Sequence, residues 1–226
     1  MQVISNYSVS ALPYNFEFDP QRTALMIIDM QNDFCEFGGF GEMLGNDIQN
    51  TRSIIPAIER LLIKFRENNI HIIHTREGHL PDLSDCPPSK RRRSKAQGAG
   101  IGDNGKMGRI LIRGERGHQI IKELAPIDNE WIIDKPGKGA FYQTSLHQDL
   151  QAAGIEKLIL TGVTTHVCVH STLREANDRG YECLVLEDAT AAFQQADHYA
   201  AINMVHQQGG IFGWVSRSDE LLKVLS

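Results

Sequence analysis

The sequence predicts an α/β protein in which a mostly parallel sheet lies between two layers of helices. Short, continuously apolar segments recur along the chain, and segments with apolar residues at helical spacing separate them. Strands that are apolar on both faces are typical of parallel sheets covered on both sides. Alternation of strands and helices is typical of crossover units, and each crossover is expected to be right-handed.

Six segments are predicted to be strands, and polar residues follow several of them. In chain order they cover residues 24–28, 70–74, 131–134, 158–162, 183–186 and 211–215. Asp29 follows the first strand, and Lys135 follows the third. Gly162 ends the fourth strand, just before a segment that contains Cys168 and reads as the start of a helix.

The predicted helices repeat apolar residues at intervals of three and four. The clearest contains Ile54, Ile55, Ile58, Leu61, Leu62 and Phe65, and the others cover residues 146–153, 166–178, 199–206 and 220–225. Gly154 and Gly180 stand where two of these helices should end. Glycine suits that position because it readily adopts the left-handed conformation that often follows a last helical turn.

The segment of residues 75–117 departs from this alternation, because it is rich in proline and glycine and has little periodicity. We predict a long loop inserted into a single domain that spans residues 1–226. A loop of this length is usually functional or part of an interface. Its basic run, residues 90–95, is interpreted as a solvated surface or a contact with an acidic partner subunit, since no nucleic-acid-binding motif accompanies it.

Composition excludes several classes of protein. The formal net charge of −5 argues against a general binder of nucleic acid or membrane surfaces. No apolar run approaches the roughly 20 residues that span a bilayer. No secretory signal is recognisable, and Cys35, Cys86, Cys168 and Cys183 lack the spacing of a zinc site. We therefore expect free thiols in a cytoplasmic protein.

Three chemically different side chains follow strands at one predicted edge of the sheet. Open parallel sheets bind ligands beyond the carboxyl ends of their strands. There Cys168 is the candidate nucleophile, because a helix start favours the thiolate. Asp29 is the candidate base and Lys135 its electrostatic partner. The backbone N–H groups of Thr164 and Cys168 are candidate donors to an oxyanion, and the other cysteines are interpreted as structural.

Three motifs carry a resemblance to a known family. They are ALMIIDMQNDF at residues 24–34, IDKPGKGAF at 133–141 and LTGVTTHVCV at 160–169. In this order they strongly resemble the isochorismatase-like cysteine hydrolases, and the resemblance extends from about residue 22 to residue 215. It implies a three-layer α/β/α Rossmann-like fold with strand order 3-2-1-4-5-6 and a cis peptide just before Thr164. It also implies that Asp29, Lys135 and Cys168 are the catalytic residues.

Within this superfamily, further stretches are most similar to the biuret hydrolases. They include HTREGH at residues 74–79, GAGIG at 98–102, REANDRGYEC at 174–183 and QGGIFG at 208–213. The last motif implies that Gln208 contacts the substrate, and adjacency to the motifs makes Phe34, Phe40 and Phe141 candidate pocket walls. Nicotinamidases carry a metal-binding Asp-x-His after the first strand region, which this sequence lacks. We therefore expect neither a metal nor a cofactor.

The resemblance implies hydrolysis of a C–N bond in a small carbamoyl or ureide compound, with biuret as the first candidate substrate. Biuret would give allophanate and ammonia through a thioester. Ureidoacrylate or another ureide remains an alternative substrate. A non-catalytic binding protein on the same fold is an alternative of a different class, in which the basic segment would be the functional part. The resemblance also implies a homo-oligomer, either a tetramer or a dimer. The charge and composition predict no nucleic-acid or membrane partner.

Overall fold

The computed structural model describes residues 6–226, in which strands and helices alternate as the sequence predicts. The strands are β1 (Tyr7–Val9), β2 (Phe16–Phe18), β3 (Thr23–Ile28), β4 (His71–Glu77), β5 (Asn104–Gly105), β6 (Gly108–Arg109), β7 (Trp131–Lys135), β8 (Lys157–Val163), β9 (Glu182–Ala191) and β10 (Trp214–Ser216). The helices are α1 (Asn32–Cys35), α2 (Phe40–Met43), α3 (Gln49–Ser53), α4 (Ile55–Glu67), α5 (Pro88–Ala96), α6 (Leu146–Ala152), α7 (His170–Asn177), α8 (Gln195–Gly210) and α9 (Ser218–Val224).

The central sheet has six strands in the order β10-β9-β8-β3-β4-β7, and each neighbouring pair is parallel. Numbered along the chain, these six strands have the order 3-2-1-4-5-6, which confirms the predicted fold class and strand order. The order reverses between β3 and β8. In open parallel sheets, the carboxyl ends of strands at such a reversal are where ligands are expected to bind.

Both faces of the sheet are covered by apolar side chains. Neighbouring residues of a strand point to opposite faces. In β3, Leu25 and Ile27 join a core cluster that includes α4, whereas Met26 and Ile28 join a second cluster that includes α7. All six residues of β3 are buried. This two-sided burial explains why the predicted strand, residues 24–28, does not alternate between apolar and polar residues.

The segment predicted as a long loop contains regular structure. β4 continues to Glu77, and residues 88–96 form α5, so the basic run lies on a helix. Periodicity could not predict α5, because Ser94 is its one buried residue and no apolar stripe exists. Pro88 stands in the first turn, where a missing N–H costs no helical hydrogen bond.

Within residues 6–226, no helix combines the length and the apolar character needed to cross a membrane. All four cysteines, which lie inside this range, are buried and unbridged.

Candidate active site

The structure brings Asp29, Lys135 and Cys168 together at the carboxyl edge of the sheet. The Nζ atom of Lys135 lies 2.8 Å from Oδ2 of Asp29. The Sγ atom of Cys168 and a carboxylate oxygen of Asp29 lie within 4.8 Å of each other. Asp29 and Lys135 are fully buried and Cys168 nearly so. Three distant segments thus place an acid, an amine and a thiol in one enclosed cluster.

Asp29 is held in place immediately after β3. Its backbone has a φ of 51°, in the left-handed region, which aspartate tolerates better than most residues. Its Oδ1 accepts a hydrogen bond of 2.6 Å from the hydroxyl of Thr75, and its backbone N–H donates to Thr75. The neighbouring strand β4 therefore orients the carboxylate, and its other oxygen faces Lys135.

Lys135 ends β7 and uses all three of its N–H donors. In addition to Asp29, its ammonium donates to the backbone oxygens of Gly137 at 3.1 Å and Lys138 at 2.9 Å. Burial opposes the positive charge, but Asp29 and the other acidic groups outweigh burial and raise the pKa of Lys135 above its usual value. Lys135 is therefore a fixed ammonium whose hydrogen-bonding capacity is already filled.

Cys168 lies in a π-helical turn, Thr165–Val169, that leads from β8 into α7. The peptide bond between Val163 and Thr164 is cis, as the family resemblance implies. Just before it, Gly162 has a φ of 98°, and a Cβ there would lie 2.1 Å from the backbone oxygen of Ile28. Only glycine allows β8 to approach β3 so closely beside the site.

The thiol of Cys168 is protonated in this closed arrangement. Burial raises its pKa well above the usual value, Lys135 lowers it, and Asp29 and Glu77 raise it further. Sequence reasoning favoured the opposite direction, because a helix start stabilises a thiolate. That stabilisation is about 0.3–1 kcal/mol near a surface, which is too small to outweigh complete burial beside two carboxylates.

Glu77 belongs to the same cluster, although sequence reasoning did not single it out. It ends β4, opposite Lys135 in register, and its side chain is fully buried. The thiol of Cys168 donates to Oε2 of Glu77 at 3.3 Å. Its motif, HTREGH, was part of the family resemblance. Because the predicted strand ended at His74, however, nothing in the sequence placed Glu77 at the sheet edge.

Three lysines surround the carboxylate of Glu77. Nζ of Lys90 lies 2.6 Å and Nζ of Lys138 lies 2.9 Å from Oε1, and Nζ of Lys135 lies 3.9 Å from Oε2. Burial opposes the negative charge on Glu77, but Lys138, Lys135 and Lys90 outweigh it and hold the pKa well below its usual range. Glu77 is therefore ionised and acts as a hydrogen-bond acceptor.

Asp29, Glu77 and Cys168 also present the types of atom that bind metal ions. The surrounding charges oppose that use, since ammonium groups already contact both carboxylates. A divalent cation would have to displace Lys135 from Asp29 and would meet the repulsion of the remaining lysines. The cluster is better suited to proton transfer than to metal binding.

The three phenylalanines that were predicted to line the substrate pocket have different surroundings. Phe34 and Phe40 follow β3 and meet edge to face, with ring centroids 6.1 Å apart. Phe34 is buried in the core cluster that includes α4. Phe141 stacks instead on Tyr181, which directly precedes β9, with centroids 5.8 Å apart. Phe141 and Cys168 belong to the same apolar cluster, and the assignment of Phe141 as a pocket wall stays a prediction.

The structure places Gln208 on the segment that leads from α8 toward β10. α8 follows the carboxyl end of β9 and returns to the amino end of β10, and Gln208 lies near its end, in a break with a φ of 53°. Gly213, just beyond, packs on the backbone of Cys183 at the start of β9. Gln208 is exposed and precedes the amino end of β10. Its contact with the substrate stays a prediction.

Fold and site together define a doubly wound α/β protein with a buried carboxylate–ammonium–thiol cluster where its strand order reverses. A family model described as an isochorismatase domain matches residues 23–220. The chain therefore belongs to the isochorismatase family.

Solved structures agree with this assignment. A cysteine hydrolase from Pseudomonas syringae pv. phaseolicola 1448A is 26% identical, with a TM-score of 0.78, and the match covers 92% of this chain and 94% of that one. An isochorismatase family protein from Desulfovibrio vulgaris subsp. vulgaris str. Hildenborough is also 26% identical, with a TM-score of 0.75 and coverage of 90% and 98%. N-carbamoylsarcosine amidase from Thermoplasma acidophilum shares the fold at 24% identity, with a TM-score of 0.67 and coverage of 88% and 97%.

Proposed function

We propose that this protein is a cysteine-dependent amidohydrolase that cleaves a C–N bond of a small carbamoyl or ureide compound. The observation that carries the proposal is the buried cluster in which Lys135 pairs with Asp29 at 2.8 Å beside the thiol of Cys168. Similarity to a structure described as a cysteine hydrolase supports the same chemistry. Biuret is the first substrate to test, and ureidoacrylate or another ureide is the alternative.

In the first half-reaction, Sγ of Cys168 attacks the carbonyl carbon while its proton passes to Asp29. The resulting oxyanion is held by backbone N–H groups of Thr164 and Cys168. Protonated Asp29 then gives the proton to the leaving nitrogen, the C–N bond breaks and ammonia departs. The acyl group remains on Cys168 as a thioester. Lys135 supports this cycle by holding the Asp29 carboxylate in place through their contact at 2.8 Å.

In the second half-reaction, the carboxylate of Asp29 removes a proton from water as the water oxygen attacks the thioester carbon. The C–S bond breaks, and the sulfur recovers its proton from Asp29. With biuret as substrate, the carbonyl product is allophanate. Proton transfer stays within the cluster throughout, so no external acid or base is required beside Asp29.

The test is ammonia release from a panel of ureides and simple amides. Cys168→Ala is expected to lower kcat by at least about 10³-fold, because it removes the nucleophile. Cys183→Ala is the matched control, since Cys183 is a fully buried thiol inside β9, and it should retain activity. A Cys168→Ala variant that keeps its fold and more than a few per cent of the rate would refute the assignment.

A further inference from the structure

We propose that Glu77, Lys90 and Lys138 form a recognition group beside Cys168 that binds the ureido end of the substrate, the part beyond the carbonyl that reacts. This inference rests on the proposed function and extends it. Neither half-reaction uses these three side chains. Glu77 accepts from the thiol of Cys168, and both lysines lie within hydrogen-bonding distance of the Glu77 carboxylate. The three side chains come from α5, from the end of β4 and from the segment after β7.

The spare hydrogen-bond donors of the cluster belong to Lys90 and Lys138. An ammonium has three N–H donors, and Lys135 has committed all of its own. Among residues 6–226, Lys90 contacts Glu77 at 2.6 Å and the backbone oxygen of Pro136 at 2.7 Å, which leaves one donor. Lys138 is half-exposed and, within the same described range, contacts Glu77 alone, which leaves two donors. A carbonyl oxygen of the substrate therefore meets these two lysines rather than Lys135.

The acceptor of the group becomes available during the reaction. Oε2 of Glu77 accepts the thiol hydrogen of Cys168 at 3.3 Å in the closed site. When that proton passes to Asp29, the oxygen loses its donor from sulfur. An unpaired acceptor that is buried costs about 1–3 kcal/mol, and more if it is charged. An N–H group of the substrate, placed beside the reacting carbon, restores the missing hydrogen bond.

A ureido group matches this pattern of donors and acceptors. It carries a carbonyl oxygen for Lys90 or Lys138 and N–H groups for the carboxylate of Glu77. A simple amide of similar length uses its one carbonyl and its one nitrogen at the reacting centre and offers Glu77 nothing. Sites built to hydrogen-bond a polar group reject analogues that lack it, because their own buried polar groups are left unpaired.

Binding to a Cys168→Ala parent, which lacks both the thiol nucleophile and the hydrogen that it donates to Glu77, tests the inference. Calorimetry would compare biuret with butyramide, an amide of similar length without a ureido end. The parent is expected to bind biuret at least about 10-fold more tightly than butyramide. Adding Glu77→Gln, Lys90→Met or Lys138→Met should weaken biuret binding about 10-fold or more and leave butyramide within about twofold. Lys95→Met, on the exposed face of α5, is the matched control.

Three outcomes would overturn the inference. The parent could bind butyramide as tightly as biuret, or folded Lys90→Met and Lys138→Met variants could keep the parent's affinity for biuret. The variants could also lose affinity for biuret and butyramide equally. Thermal unfolding identifies variants that fail to fold. Lys138→Met carries the smallest risk of misfolding, because the side chain of Lys138 is half-exposed. The proposed function is judged separately by the wild-type ammonia assay. An enzyme that needs Cys168 but has no preference for ureides would keep the function and refute this recognition group.

Discussion

At the scale of single residues, the protonation state of Cys168 is the feature that most affects the chemistry. Its thiol is buried between Asp29 and Glu77, and burial is the largest influence raising its pKa. Thiols react as thiolates, so the proposed nucleophile is held in its less reactive form in this closed arrangement. Under the proposed mechanism, its proton passes to Asp29 when substrate is present.

We expect iodoacetamide to modify Cys168 more slowly than a model thiol at pH 7. The rate should rise as the pH increases beyond 9, because a raised pKa moves thiolate formation to higher pH. Lys135→Met should slow the reaction further, since Lys135 lowers the pKa of this thiol. Peptide mapping by mass spectrometry would measure the rate at Cys168, with Cys35 as a buried reference whose pKa is raised to about 12. Rapid selective labelling at pH 7 would contradict this expectation.

At the scale of secondary-structure elements, the site depends on how β3, β4, β7 and β8 are aligned and on the helix α5. Each of these strands delivers a residue of the cluster at or just beyond its carboxyl end, and α5 adds Lys90 from outside the sheet. The closest approach is at Gly162, where β8 meets the backbone of Ile28 in β3. This contact connects the segment that carries Cys168 to the segment that carries Asp29.

Gly162→Ala should destabilise the protein by at least about 2 kcal/mol, because a side chain there combines positive-φ strain with a backbone clash. Gly154→Ala is the matched control: Gly154 also has a positive φ, of 70°, but a Cβ there meets nothing within 4 Å. That variant should lose only about 1–2 kcal/mol from the left-handed backbone. Urea unfolding of both variants measures the difference, and equal losses would show that β8 can move away from β3.

At the scale of the whole molecule, the fold holds several histidines in surroundings that disfavour their protonated form. Burial is the first cause of a lowered pKa in the members of this set, which are His74, His79, His118, His170 and His198. Asp33 has the opposite effect on how stability depends on pH, since burial raises the pKa of its carboxyl group to about 6. The histidines outnumber it, so the balance between folded and unfolded chains depends on pH.

The free energy of unfolding is therefore expected to fall as the pH is lowered from 6.5 toward 4. Over that range the unfolded chain binds protons at histidine more readily than the folded chain does, and each proton bound preferentially by the unfolded chain lowers stability. The pKa of His118 is lowered to about 4, so His118→Gln should flatten the profile. Urea titrations at several pH values would measure the free energy of unfolding. A value that stays constant or rises as the pH is lowered would disprove the expected effect of these histidines.

The Asp29–Lys135–Cys168 group was predictable because it follows from local features of the chain, whereas the strand order was implied by the family resemblance. Apolar runs mark strands, and the polar residue that follows each strand marks the binding edge of a parallel sheet. The helix α5 was not predictable in this way, because a helix with almost no buried residue leaves no apolar period. The expected assembly into a tetramer or dimer also stays a prediction, because assembly depends on surface residues and the apolar pattern reports only the core.

The sequence by itself determined the fold class and three candidate catalytic positions, since both depend on which segments are apolar and where they end. Only the tertiary structure decided which charges meet. It brought Glu77 to Cys168, and it brought Lys90 and Lys138 to Glu77. It also decided that the thiol keeps its proton. The physical reason is that desolvation and pairing of charges arise between segments far apart in the chain, which no local pattern reports.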